Sequence, residues 1–176
     1  MAQKKDPRSL QNPKLTVVVP VYNEQELIED FLDKLYETMI SLSHNIEIVV
    51  VDDGSQDQTN ALIKNLCQNF PIRLITFSRN FGKEKAISCG LDHAEGDAVM
   101  IIDADFQHPI SLLGDFIEKW REGYDNIYGI RSRQDQKRLH RFFARNFYRL
   151  NRFLMDIDLP ADAGDFRLLD RQVVLA

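Results

Sequence analysis

Residues 99–109 read VMIIDADFQHP, an apolar run that ends in two aspartates one residue apart. Such a run ahead of a polar tip suits a strand covered on both faces. Asp103 and Asp105 follow the period of a strand, so near its tip they can point to one side. Two carboxylates that close repel each other unless a metal, a salt-bridge partner or water lies between them.

The same pattern recurs along the chain. LTVVVPVY (15–22), IEIVVVDD (46–53), IRLITFS (72–78) and DAVMIIDAD (97–105) are Val- and Ile-rich runs, and YDNIYGIR (124–131) is a weaker one. Amphipathic stretches separate them. Asn23 is expected to cap a helix carrying Leu27, Phe31, Leu35 and Met39, and Ser55 one carrying Ala61, Leu62, Leu66 and Phe70. A third helix is expected from Gly82 to Ala94, and Pro109 opens a fourth with Leu112, Leu113, Phe116, Ile117 and Trp120. Strands alternating with helices predict an α/β fold with a mainly parallel sheet, whose ligands bind beyond the carboxyl ends of the strands.

At those ends stand PVYNE (20–24), DDGS (52–55), SRNFGK (78–83) and DADFQ (103–107). Each alone reads equally well as a solvated turn. Together on one rim they make a polar cleft. Asp103 and Asp105 with the amide of Gln107 are hard oxygen donors suited to Mg²⁺ or Mn²⁺, and such an ion commonly bridges a diphosphate. Lys83, Arg79 and the backbone N–H groups around Gly82 are placed to meet the same phosphates. Asp53 can accept from a base N–H, and Tyr22 can pack on the base.

Composition sets outer bounds. The chain has 176 residues, one domain's worth, and a net charge of −5 that does not suggest nucleic-acid binding. Cys67 and Cys89 form no CxxC pair and read as reduced, half-buried thiols. Residues 1–13 read as a polar, disordered lead-in rather than a signal peptide, and residues 14–176 as the folded domain. No run approaches the ~18 apolar residues that span a bilayer. GxGxxG is absent after the first strand, which argues against a dinucleotide oxidoreductase. A phosphoacceptor domain would want its paired acids after the first strand, where PVYNE stands instead.

The ordered set PVYNE, VDDGS, SRNFGKE and DADFQHP resembles the family 2 glycosyltransferases of GT-A fold. DAGDFRLLDR (162–171), preceded by YGIRSR (128–133), narrows the resemblance to the polyprenyl-phosphate branch, over about residues 14–176. It implies a nucleotide-diphospho-sugar donor, a divalent metal, Mg²⁺ or Mn²⁺, and inversion at the anomeric carbon. By the family pattern Pro20, Tyr22, Glu24 and Asp53 hold the nucleoside, with Lys83 and Asp103 beside the diphosphate sugar. Asp103 and Asp105 form the DxD with Gln107 as the metal set, and Arg131 binds phosphate near the acceptor. Asp165 and Arg167 sit near the reacting centre, where Asp165 either acts in catalysis or orients Arg167 or the sugar hydroxyls. An acceptor that is already a phosphate needs cations more than a base, which fits Arg131 and Arg167. The favoured donor is UDP-glucose or a related UDP-sugar.

Residues 137–156, KRLHRFFARNFYRLNRFLMD, carry arginine at every third or fourth position beside an aromatic and apolar stripe. Packing on the sheet is one reading. The other is an interfacial helix on an anionic membrane, which would dock the enzyme at the cytoplasmic face over its lipid acceptor. The ending VVLA reads as the start of a further helix, hence as a truncated domain. Two alternatives remain: a soluble family 2 transferase acting on a sugar hydroxyl, and a non-catalytic nucleotide-binding module.

Overall fold

The computed structural model describes residues 7–8, 12–130 and 163–176, and of residues 130 and 163–165 the backbone alone. The 137–156 segment and Arg131 lie outside the described residues.

The order is β1 (Leu15–Val21), α1 (Ile28–Leu42), β2 (Ile46–Asp52), α2 (Thr59–Leu66), β3 (Ile72–Thr76), α3 (Lys83–His93), β4 (Ala98–Ile101), α4 (Leu112–Arg121), β5 (Asn126–Ile130), β6 (Ala163–Asp170) and α5 (Arg171–Val174). Among the described residues the strands form one sheet in the order β3-β2-β1-β4-β6-β5. The first four strands pair in parallel, while β6 runs antiparallel to β4 and β5. The expected mainly parallel α/β sheet is therefore present. The strand formed by GDFRLLD adds an antiparallel ribbon to it.

The near-continuous apolarity of the central runs follows from burial on both faces. Every residue of β1 and β4 is buried, whereas edge strand β3 is half-exposed. One face packs Ile28, Phe31 and Leu35 of α1, Ile63 of α2 and Leu113, Phe116 and Trp120 of α4 against Val17, Val19, Ile48 and Met100. The other face packs Ala86 and Ile87 of α3 against Val18, Val49, Val51 and Val99. Both cysteines are free and half-buried.

Three helix starts differ from expectation. Neither Asn23 nor Ser55 caps a helix. Asn23 Oδ1 accepts from the Gln56 N–H at 2.8 Å, and its own N–H donates to Ser55 Oγ at 2.9 Å. These two residues tie the β1–α1 and β2–α2 loops to each other, and their helices start later, at Ile28 and Thr59. Leu27 accordingly stays outside α1 and exposed, and Ile28 takes the core position. Pro109 precedes a turn, with its carbonyl accepting from Leu112 N–H at 3.0 Å, and α4 begins at Leu112.

The expected disordered lead-in also differs at Arg8. Its guanidinium bonds Asp125 Oδ1 and the Trp120 carbonyl, reaches Asp170 Oδ2 at 3.0 Å, and lies over the Trp120 ring.

At the rim away from the strand endings, Glu47, Lys14, Arg73 and Glu95 form an ion-pair network. Hydrogen bonds from Lys14 and Arg73, with their positive charges, pull the Glu95 carboxyl from 4.5 to about 2. A lowered carboxyl pKa stabilises the fold above the unfolded value and is lost as pH falls through the folded one. Wild type should therefore exceed Glu95→Gln in thermal midpoint at neutral pH, and the gap should close between pH 4.5 and about 2.

Candidate active site

Pro20 explains where the cleft opens. A proline in a central strand removes a ladder donor. Here β4 stops pairing with β1 at Val18↔Ile101, with a last bond from Ile102 N–H to the Val18 carbonyl at 3.1 Å. Pro20 faces the side that β4 has left, so its missing N–H costs nothing. The strand order reverses between β1 and β4, the position where open α/β sheets bind ligands.

The cleft there has a volume of about 310 Å³. Its lining brings together Pro20 at the end of β1, Tyr22 and Glu24 after it, Asp53 after β2, Asn80, Gly82 and Lys83 after β3, and Asp103 and Asp105 after β4. Asn80, Val21, Ala86 and Ala104 line it as well and were not singled out from the sequence. Arg79, which was, stacks its guanidinium on Phe81, 4.9 Å from the ring centre.

The two acids of VDDGS divide the work of building this cleft. Asp52 is fully buried. Its Oδ1 accepts from Ser55 N–H at 2.9 Å and its Oδ2 from Asn60 Nδ2 at 2.7 Å, which fixes the β2–α2 turn. Asp53 reaches across to the next loop, where its oxygens accept from Phe81 N–H at 2.7 Å and Gly82 N–H at 2.9 Å. Those two amides are thereby committed to Asp53, which corrects the expectation that the backbone around Gly82 is free for phosphate. Asp53 lines the cleft but is 3% exposed, and each of its oxygens retains a lone pair for a further donor.

Two glycines are required by this arrangement. Gly54 has φ +74°, and a Cβ there would lie 2.4 Å from the Arg79 carbonyl carbon. Gly82 has φ 96° and ψ 150°, a region open only to glycine, and it turns the chain into α3. Lys83, the first residue of α3, thus stands in the cleft.

Asp103 and Asp105 lie in the turn after β4 rather than on the strand. The cation beside them is an ammonium: Lys83 Nζ sits 2.7 Å from Asp103 Oδ1 and 2.8 Å from Oδ2. Asp105 Oδ1 accepts from the Gln107 N–H at 2.9 Å, and Gln107 itself is exposed and not part of the lining. Burial pushes the Glu24 carboxyl up, and the charges of Asp105, Asp57 and Asp103 push it further. The cleft is therefore short of positive charge.

Asp103 and Asp105 are the oxygen donors that Mg²⁺ or Mn²⁺ takes, on one wall of one cleft, so the residues fit such an ion. No group of three or more His, Cys, Asp or Glu side chains among the described residues is set to hold an ion alone. A bound diphosphate and water are the oxygen ligands that would complete such a site.

Arg167 lies in β6 opposite Ile101 of β4 and Tyr128 of β5. Because β6 is antiparallel to β4, it starts at the cleft end of the sheet, where the backbone of Asp165 lies, and runs away from it. His108, buried and stacked on Phe166 with ring centres 4.8 Å apart, closes the turn after the acids.

Comparison with known proteins agrees with this geometry. The model of the family described as Glycosyl transferase family 2 matches residues 16–175. An uncharacterized glycosyltransferase of Synechocystis sp. is 44% identical over 165 residues, 93% of this chain and 52% of that protein. The bactoprenol glucosyl transferase of Shigella phage SfV is 42% identical over 163 residues, 92% of this chain and 53% of that protein. The chain spans about half the length of these curated relatives. A Pyrobaculum calidifontis mannosyltransferase in complex with GDP-Man and Mn²⁺ superposes with TM-score 0.65 at 25% identity, over 98% of this chain and 49% of that one. Glucosyl-3-phosphoglycerate synthase of Mycobacterium tuberculosis, at 20% identity over 92% of this chain and 58% of that one, shares the fold with TM-score 0.64. A match running from the first strand to the last helix, on a sheet that opens its cleft at the strand reversal, makes the chain a member of glycosyl transferase family 2 with the GT-A fold.

Proposed function

We propose that this chain holds the donor site of a transferase that moves a sugar, glucose in the favoured case, from a nucleotide diphosphate to a polyprenyl phosphate. The carrying observation is the cleft at the β1–β4 reversal, where Tyr22, Glu24, Asp53, Lys83, Asp103 and Asp105 converge from four strand endings. The bactoprenol glucosyl transferases at 42% identity support the lipid-phosphate acceptor and the glucosyl donor.

In this reading Pro20 and Tyr22 flank the base, while Glu24 and Asp53 face the nucleoside with their remaining acceptor positions. Asp103 and Asp105 hold Mg²⁺ or Mn²⁺, with Gln107 steadying Asp105 through its backbone. The ion, when bound, supplies positive charge to the leaving diphosphate. Lys83 draws the donor's phosphates into the acidic cleft, and Arg167 and Arg131 bring the acceptor's phosphate to the sugar. The acceptor oxygen is already anionic, so no base need take a proton from it. That oxygen forms the new bond to the anomeric carbon as the bond to the diphosphate breaks, and the configuration inverts. Asp165 orients Arg167 or the sugar hydroxyls. The basic 137–156 segment sets the cleft over an anionic membrane at its cytoplasmic face. Among the described residues no helix is long and apolar enough to cross a membrane.

A thermal-shift panel of UDP-, GDP- and ADP-sugars with and without Mn²⁺ tests the donor reading. UDP-glucose should raise the melting temperature only with Mn²⁺, and Asp105→Asn should abolish that shift while leaving the ligand-free stability within about 1 kcal/mol of wild type. If no nucleotide sugar stabilises the chain under either condition, the reading is wrong. Radiolabelled glucose passing into a polyprenyl phosphate in detergent would then establish the acceptor.

A further inference from the structure

β6 does not run evenly along β5. Tyr128 pairs with Arg167 and the next pair is Ile130 with Ala163, so β5 advances by two residues while β6 advances by four. The surplus lies in Gly164, Asp165 and Phe166, a bulge of the kind that re-aims side chains beside active sites. The Phe166 ring is 1% exposed. It stacks on His108 with ring centres 4.8 Å apart and tilts on Phe116 of α4 at 4.7 Å. The β5 residue between the two pairs is Gly129, where a Cβ would stand 3.0 Å from Phe166 Cδ1 and 3.8 Å from Phe116 Cζ. A ring so enclosed has little room to yield. Leu168 shares its face of the sheet, and Arg167 and Leu169 take the opposite one.

His108 belongs to the turn that carries Asp103 and Asp105, so one stacked pair joins that turn to the GDFR strand. The turn has a second anchor in Phe106. This residue holds φ +56°, which a bulky side chain keeps only under constraint, and sets its ring edge-on to Phe31 of α1 at 5.3 Å.

We propose that Phe166 and Gly129 are positioning residues for sugar transfer: the ring, admitted by the missing side chain at 129, fixes the bulge, and with it Arg167, against the turn of the two acids. The proposal rests on the acceptor role given to Arg167 above and names what sets its place. The turn keeps its Phe31 anchor when the Phe166 ring is disturbed, so the effect falls on the transfer step more than on nucleotide binding.

The test compares wild type, Gly129→Ala, Phe166→Leu and the double variant, each at a temperature where circular dichroism shows it folded. The Gly129 backbone lies outside the left-handed region, so alanine there strains only the ring contact. One single variant overfills the site and the other underfills it, while the double nearly conserves the summed volume. Each single variant should lose about tenfold or more in kcat for glucose transfer to polyprenyl phosphate, with the KM for UDP-glucose within about twofold of wild type. The double variant should recover at least about threefold of that loss. An NMR signal of the His108 ring, assigned by its disappearance in His108→Gln, should shift in both single variants because the neighbouring ring has moved or gone. If that signal stays in place in Gly129→Ala, or shifts with kcat unchanged, or the losses add in the double variant, the positioning role is overturned and the donor reading stands. If wild type itself transfers no glucose to the lipid phosphate, the acceptor reading and the positioning role fall together.

Discussion

Gly54→Ala is expected to weaken nucleotide-diphosphate binding at least about tenfold and to lower stability by about 2–4 kcal/mol. Two costs add at this position. Gly54 has φ +74°, which a side chain tolerates poorly, and its new Cβ would stand 2.4 Å from the Arg79 carbonyl carbon and 2.7 Å from the Arg79 Cα. The obstacle is backbone, so no rotamer change relieves it. The loop at residues 79–82 must move outward, and it is the loop whose amides at Phe81 and Gly82 are held by Asp53. Lys83 follows directly and would leave Asp103. Calorimetric titration of UDP with Mn²⁺ reads the affinity, and urea denaturation reads the stability. A variant that is destabilised yet binds at wild-type affinity would show that the 79–82 loop does not position the phosphate contacts. The control is Gln56→Ala in the same β2–α2 loop, which keeps the Gly54–Arg79 approach intact and should change neither quantity by more than about 0.5 kcal/mol.

The difference between what the sequence made legible and what it left hidden is one of range. Periodic and local signals carried through. Burial on both faces makes β1 and β4 continuously apolar, so the Val- and Ile-rich runs announced the parallel core. Strand endings in such a sheet share a rim, and Tyr22, Glu24, Asp53, Lys83, Asp103 and Asp105 line one cleft there. The misses concern partners distant in sequence. That Asp53 accepts from amides 28 and 29 residues away cannot be read from VDDGS itself. Asn23 has the composition of a helix cap, but Ser55 and Gln56 are better placed to use it, 32 and 33 residues on. GDFRLLD was read only through the family resemblance, and not as a strand. Its charged positions hide the strand: among its described side chains Phe166 and Leu168 pack into one core cluster and Leu169 into the other. Asn80 gave no signal beyond its place in a strand ending.

Arg8→Ala is expected to cost about 2–4 kcal/mol of stability although the residue lies at the far end of the chain from everything it touches. Its guanidinium is 14% exposed and faces two carboxylates, Asp125 at 21% and Asp170 at 9%. It also donates to the Trp120 carbonyl and, at 3.2 Å, to that of Tyr124, while its own N–H bonds the Arg121 carbonyl at 2.8 Å. Four acceptors around one fork-shaped cation are the arrangement an arginine serves and a lysine cannot. Removing it leaves two like charges side by side in a half-dry pocket, and the penalty comes from stranding them more than from the lost attraction. Asp170 retains Trp120 Nε1 at 2.8 Å and caps α5 through Gln172 N–H at 3.0 Å, so the local fold survives in weakened form. The consequence for the site runs through β6. Asp170 ends the strand that carries Arg167, and Arg8 pins that end to the loop before β5. Chemical denaturation should therefore show Arg8→Ala less stable than wild type, with Arg8→Lys between them. Arg8→Ala combined with Asp125→Asn should recover part of the loss, because one stranded charge is gone. If the double variant were as unstable as the single, charge burial would not be the cause, and the packing of the guanidinium over Trp120 would have to carry the effect.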